Sequence, residues 1–298
     1  MMKVLTSRSR DMLRRLAVFL LLVCILPGTA SADIGPKPSV QIAFTGIEEQ
    51  PYYGTLLSAR RSTGPASAHD VPAIPENYPD HKPADEFEIW KAFAEYQDAD
   101  GYYFLEEWWD CSETNTLRWG YYPPSPFKVL LYFPETETFR VSPIYEKYAF
   151  DSYFTIDLSA SGDTLTAQRS YHYTWELVSL GARILGTIVL ELALAWCFGY
   201  REKRLLRLLA AVNLVTQIAL NVWLNVVNYY SGALLFTMQF VLWEFVIFIV
   251  EAVIYALMLP RLSSQPQSRG KAVGYALLAN LFSFAAGLGL AHLIPGIF

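Results

Sequence analysis

Cysteine is scarce in this chain, with three among 298 residues. Cys24 and Cys197 fall in apolar segments, so Cys111 stands alone between residues 33 and 174. No disulfide can close within that stretch, and Cys111 reads as a small buried side chain. Basic charge is scarce there too: residues 33–174 carry ten Lys/Arg against 22 Asp/Glu. Residues 1–32 carry five against one, and residues 175–298 carry eight against five. An acidic middle excludes nucleic acid as a partner, because binding it takes a basic footprint. Histidine is equally sparse. His69, His81 and His172 lack metal-ligand spacing, and His292 stands alone near the far end. No nucleophile, base and acid recur in a catalytic pattern, so the chain offers no catalytic residue, and no cofactor is implied.

The first apolar run is short, the eleven residues Leu16–Leu26. That is too few to cross ~30 Å of hydrocarbon. It follows Lys3, Arg8, Arg10, Arg14 and Arg15, and precedes a Pro27-Gly28 break and Ala30-Ser31-Ala32. A basic start, a short apolar centre and a small-x-small end make residues 1–32 a cleavable export signal. Arg14-Arg15 lacks the neighbours of a twin-arginine signal, and Val23 is too bulky for a lipoprotein box before Cys24.

Residues 33–174 then form an extracytoplasmic domain. Alternation predicts strands at Val40–Phe44, Tyr52–Ser58, Leu117–Tyr122, Phe127–Phe133, Phe139–Ile144 and Phe150–Leu158. Ser62–Pro83 is rich in Pro, Ser, Ala and Asp and reads as a loop. Asp85 is placed to cap a helix whose Phe87, Trp90, Phe93 and Ala94 share one face. Asp98, Asp100, Gly101 and Glu107 match positions three, five, six and twelve of a calcium loop. Position one is Tyr96, which has no carboxylate, so an Asp-Gly turn into a strand is the favoured reading. Glu106-Glu107, Asp110 and Glu113 read as a solvated acidic face. The dense aromatics, among them Trp108-Trp109 and Tyr121-Tyr122, read as core, with an exposed few suited to glycan or peptide.

From residue 175 the chain changes character. Four apolar stretches, about 177–198, 205–227, 233–258 and 272–294, each reach the ~20 residues a bilayer demands. Arg201, Lys203, Arg204 and Arg207 lie between the first two, and Arg261, Arg269 and Lys271 between the last two. The positive-inside rule puts both basic links in the cytoplasm and residues 33–174 outside, with Tyr171, Tyr173, Trp175, Trp196 and Tyr200 as interfacial belts. Polar residues inside the spans carry the chemistry. Asn213, Gln217, Asn221 and Asn225 recur every four residues. Counting from the cytoplasmic ends puts Glu191, Asn213, Glu251 and Asn280 at one depth, ~11 Å in at 1.5 Å per residue. Arg183, Asn221 and Glu244 form a second layer further out, where Arg183 is expected to pair with Glu244. Such layers serve either as interhelical glue or as a cation or proton site.

Asp33-Ile34-Gly35-Pro36-Lys37-Pro38-Ser39, Tyr53-Gly54-Thr55-Leu56-Leu57-Ser58, Asp98-Ala99-Asp100-Gly101-Tyr102 and Tyr148-Ala149-Phe150-Asp151-Ser152-Tyr153 together carry a resemblance. With Asn213, Gln217, Asn221 and Glu251, the chain resembles an uncharacterised family of multi-pass bacterial membrane proteins with a signal peptide and this DIGPKPS-type start. The resemblance implies a bacterial envelope location and brings no substrate, cofactor or active residue.

The expectation is an α+β protein: a signal (1–32), a β-rich extracytoplasmic domain with one main helix (33–174), and an all-α four-helix transmembrane bundle (175–298). Its place would be the bacterial cytoplasmic membrane. Its partners would be the lipid bilayer and an extracytoplasmic ligand or envelope protein. The leading function is non-enzymatic binding or sensing. The alternative is a small cation- or proton-coupled transporter, and a third is an envelope enzyme whose catalytic groups follow no familiar pattern.

Overall fold

Val40, Ile42 and Phe44 are buried on one side of the first strand, where alternation places them. The computed structural model that contains this strand describes residues 35–293, apart from 48–49, 161, 163 and 172. Side chains of 175, 176, 179 and 288–293 are likewise outside the description. The expected signal, Cys24, Asp33-Ile34 and the side chains of His172 and His292 therefore lie outside the described residues. The chain divides into two units: Pro36–Tyr171 with Tyr229–Gly232, and His172–Asn228 with the chain from Ala233 onward.

The first unit is built from two four-stranded sheets. One runs in the order β10 (Ala167–Arg169), β9 (Asp151–Asp157), β1 (Ser39–Thr45), β6 (Thr116–Trp119). The other runs β5 (Trp109–Asp110), β2 (Tyr53–Ser58), β7 (Phe127–Phe133), β8 (Thr138–Val141). β1 and β9 are parallel, from Ser39 opposite Asp151 to Thr45 opposite Asp157, and every other pair is antiparallel. The inward residues of both sheets, including Ile42, Leu117, Ile156, Leu56, Val129 and Leu131, pack as one core.

β7 is buried on both faces, which explains its nearly unbroken apolar run. Phe127, Val129, Leu131 and Phe133 join the inter-sheet core, while Leu130 turns to the other side. There it meets Ile89, Trp90 and Phe93 of helix α1 (Phe87–Glu95). Truncating a buried aromatic such as Trp90 costs about 3–5 kcal/mol in comparable cores. Strand, strand and helix thus form three layers.

Local details differ from the sequence reading. Asp85 does not cap α1: it lies in a 3-10 turn, Ala84–Glu86, and no side chain caps the helix. Glu86 instead accepts a 2.7 Å hydrogen bond from Trp108 Nε1, so core packing fixes the helix start. The segment expected as a loop contains a short hairpin, β3 (Ser62–Thr63) with β4 (Ala66–Ser67), and a 3-10 turn at Pro75–Asn77. Gly64 turns that hairpin with a φ of 52°.

The second unit contains α2 (Tyr173–Cys197), α3 (Lys203–Leu262) and α4 (Arg269–Leu293). α2 stops at Gly199, whose φ is 80°. Tyr200 N–H reaches back to Ala195 O at 2.9 Å and Gly199 N–H to Trp196 O at 3.0 Å, a left-handed helix stop. Among the described residues, two helices are long and apolar enough to cross a membrane, Leu180–Cys197 and Lys203–Leu262. This corrects the expectation of four separate apolar helices. The second and third expected stretches form one 60-residue element, because Asn228–Gly232 holds neither Pro nor charge to end it.

At ~1.5 Å per residue a straight helix of that size would reach ~90 Å. It does not run straight. Gly232, at φ 80° and ψ 176°, breaks the helical path. Leu205 and Leu209 of the first arm pack with Tyr255 and Leu259 of the second, and Leu220 and Leu224 with Phe236 and Ile247. α3 is therefore a helical hairpin.

Candidate functional site

The helical unit reverses the usual distribution of polarity. Val189, Val215 and Phe245 are 67%, 67% and 61% exposed, whereas Glu191, Asn213 and Glu251 are 2%, 1% and 0% exposed. Gln217, Asn221, Asn280 and Ser283 are buried as well.

Glu191 from α2, Asn213 and Glu251 from the two arms of α3, and Asn280 from α4 form the inner group. Glu251 accepts hydrogen bonds from Asn280 Nδ2 at 2.8 Å and Thr216 Oγ1 at 2.7 Å. Ser283 Oγ donates to Glu191 Oε1 at 3.3 Å, and Asn213 and Glu251 both act on the Glu191 carboxyl. Tyr275 hydroxyl donates to the Glu191 backbone carbonyl at 3.1 Å, and Tyr255 and Tyr200 are buried beside Tyr275. Glu191 Oε2, the Asn213 amide, Asn280 Oδ1 and the Tyr255 hydroxyl lack a direct partner of good geometry among the described residues. Thr216, Ser283, Tyr255 and Tyr275 were missed from the sequence. Thr216 and Ser283 follow Asn213 and Asn280 by three, and Tyr255 follows Glu251 by four, so helical spacing was the available signal.

The outer group lines one cavity of about 280 Å³, bounded by Arg183, Gln217, Asn221, Glu244 and Ser283 with Leu220 and Phe240. Asn221 Nδ2 donates to Gln217 O at 2.8 Å and Gln217 Oε1 at 3.3 Å. Arg183 and Glu244 share this cavity, but the ion pair expected between them is not made. Arg183 is engaged elsewhere. Ser283 belongs to both groups, bordering the cavity and bonding Glu191.

Glu202, between α2 and α3, accepts from Ser264 N–H at 3.0 Å and from the hydroxyls of Ser263 and Ser264, each at 2.9 Å. The backbone bond and both hydroxyls hold its carboxyl below the usual range. This ties the two Arg/Lys-bearing links together.

The calcium alignment in the β-rich unit fails. Lys128 of β7 places its ammonium 2.8 Å and 2.9 Å from the Asp98 oxygens and also bonds Asp100. The protein's own cation thus fills the place an ion would take. Glu107 is spent on Lys82 at 3.1 Å. Burial pulls the Lys128 ammonium down, yet its bonds to Asp100 and Asp98 outweigh this and leave it above its ordinary value. Asp98 Oδ2 also accepts from Asp100 N–H and Tyr102 N–H, shaping the turn. The other acidic residues are dispersed: Glu106 meets His69 Nδ1 at 2.8 Å, and Asp110 accepts from Ser112 N–H at 2.8 Å. His81 is exposed, apart from both. Among the described residues no three His, Cys, Asp or Glu converge as a metal site.

Neither a known protein family, nor a curated protein, nor a solved structure matches this chain.

Proposed function

We propose that this is a multi-pass protein of the bacterial cytoplasmic membrane, belonging with the family it resembles, and that its helical unit relays protons through Glu191 and Glu251. In this reading the α3 hairpin supplies two crossings and α2 and α4 the others, giving a four-helix bundle. The β-rich unit stands outside the cytoplasm. One observation carries the reading: apolar side chains face outward while two carboxyls from different helices are buried with amides and hydroxyls. A fixed charge at the bilayer centre costs about 2.5–3.5 kcal/mol on insertion scales, and ionisable groups there mark ion pathways or proton relays. Glue alone needs no carboxyl, since Asn or Ser serves as well.

The path runs from the cavity at Glu244 through Ser283 to Glu191, then to Glu251 and the tyrosine cluster. Each carboxyl accepts a proton and passes it on, and Thr216 and Asn280 hold Glu251 in place. The test is a pH jump across proteoliposomes holding the full chain, with a trapped pH dye. The expected result is proton entry well above that of empty vesicles and at least tenfold slower in Glu251→Gln or Glu191→Gln. Gln keeps the acceptor for Asn280 and loses only the exchangeable carboxyl. Equal rates in wild type and both variants overturn the proposal.

A second reading gives the β-rich unit a binding role. The exposed rings of Tyr121 and Tyr122 meet edge to face at 5.0 Å, with Lys37 5.6 Å from the Tyr122 ring. Such a patch suits a glycan. Full-length protein should bind a glycan array and lose the signal in Tyr121→Ala/Tyr122→Ala, and a silent array removes this reading.

A further inference from the structure

We propose that the cytoplasmic end of the helical unit is a docking surface for the phosphate headgroups of anionic phospholipids, held by cations from both links between its helices. This rests on the membrane reading above and is independent of the proton relay. Residues 198–209 and 259–275 carry seven Lys/Arg against one Asp/Glu, a balance of +6. Arg201, Lys203, Arg204 and Arg207 come from the first link and the start of α3, and all four are exposed. Arg261, Arg269 and Lys271 flank the second link; the first two are exposed and Lys271 is half-buried. The single carboxylate, Glu202, is spent on Ser263 and Ser264. Among the described residues no ion pair engages any of the seven cations.

The fold gathers these cations at one level. Leu205 near the start of α3, Leu259 near the end of its second arm and Ala272 near the start of α4 are buried in one cluster with Tyr200. Three helix ends therefore meet there, and the Glu202 clasp holds the two links together. Two of the cations are placed by aromatic rings. The Arg201 guanidinium stands 5.5 Å from the centre of the Trp196 ring, and the Lys271 ammonium 4.8 Å from that of Tyr200. Lys271 also donates to Gln267 Oε1 at 3.0 Å.

Charge and position select the occupant. A surface with this excess of cations attracts the anionic lipids of the cytoplasmic leaflet. Trp196 is 63% exposed, and an indole so placed sits where hydrocarbon gives way to headgroups. Arg201, over that ring, is then at the height of the lipid phosphates, and its fork of donors matches phosphate oxygens. Val189, on the same face of α2 and 67% exposed, continues the apolar perimeter that the attached acyl chains would cover. A soluble anion would meet the cations and leave that perimeter unused. A phospholipid meets both.

The experiment is native mass spectrometry of the detergent-solubilised full chain, given equal amounts of dioleoyl phosphatidylglycerol and dioleoyl phosphatidylcholine. The acyl chains are identical, so any preference reads the headgroup. Wild type should retain phosphatidylglycerol at least tenfold over phosphatidylcholine, and a large excess of inorganic phosphate should not displace it. Arg201→Gln/Lys271→Gln should cut the preference at least threefold, with a melting curve matching wild type. Arg60→Gln/Lys91→Gln removes the same charge from the β-rich unit and should leave the preference unchanged. Equal retention of the two lipids by wild type overturns the inference. So does an equal loss in the two double variants, which would trace the preference to net charge. Displacement by inorganic phosphate overturns a lipid as the occupant. Retention of no lipid at all overturns the inference and the membrane reading with it. The lipid competition uses wild type alone, so a variant that misfolds leaves the test standing. A lipid preference without proton entry overturns the relay and spares this surface.

Discussion

Asn280 on α4 donates a 2.8 Å hydrogen bond to Glu251 on the second arm of α3, and Thr216 on the first arm donates to the other oxygen of the same carboxyl at 2.7 Å. One side chain thus gathers three helical segments. Asn280→Leu should lower stability by about 1 kcal/mol, within the ~0.6–1.7 kcal/mol measured for interhelical hydrogen bonds. Thr216→Val should cost a similar amount, and the double variant more than the sum, because Glu251 then has neither donor. Thermal melting of the detergent-solubilised chain reads this. Strict additivity would mean that the two donors act independently of the carboxyl.

Lys128 should matter to the β-rich unit more than any surface charge. The Asp98 side chain is 1% exposed, so Lys128→Met leaves a buried carboxylate without its cation. Breaking a buried pair costs about 3–5 kcal/mol, and the low end applies because Asp100 is 61% exposed and hydrated. Asp98→Asn combined with Lys128→Met should recover part of the loss. The rate at which Cys111 becomes open to a thiol reagent measures it in the full chain. No acceleration in Lys128→Met would contradict the assignment.

Burial, reinforced by the Asp110 charge, pushes the Cys111 thiol up to about 12, against a partial offset from Gly54 N–H. Folded protein should therefore resist alkylation at Cys111 at pH 8.5, while the exposed Cys197 reacts. The sign of the linked stability follows. The folded value lies above the unfolded one of about 8.5, so the contribution is complete below pH ~8.5 and is lost as pH rises through about 12. Cys111→Ala should flatten the alkaline loss of stability between those limits. An identical alkaline slope in the variant would refute the thiol as its source.

Orientation is testable by single cysteines in a background that lacks all three native ones (Cys24→Ser/Cys111→Ala/Cys197→Ser). Glu113 and Ser268 are both exposed. An impermeant maleimide applied to intact spheroplasts should label Glu113→Cys and reach Ser268→Cys only after lysis. The opposite pattern would invert the proposed topology.

How much of this was readable beforehand depended on the range of the interaction. Alternation located β1, β2 and β7 within a residue or two, since a strand face is a local property. It did not reveal that β1 pairs in parallel with β9, because periodicity specifies a face and never a partner. Equal depth brought Glu191, Asn213, Glu251 and Asn280 together, as helices convert residue counts into height. Azimuth is not counted so easily: Arg183 and Glu244 border one cavity without touching as a pair. Lys128 defeated the calcium alignment from 28 and 30 residues away, beyond any loop motif.

The parallel strand pair sets the order in which the β-rich unit can be completed. Ser39 sits beside Asp151, 112 residues further on, and its hydroxyl bonds that carboxylate. Every shorter nascent chain leaves one rim of the opening strand unzipped, inviting strangers to dock there. Closure of that rim must then await nearly the whole unit, and so distant a pairing is slow to form.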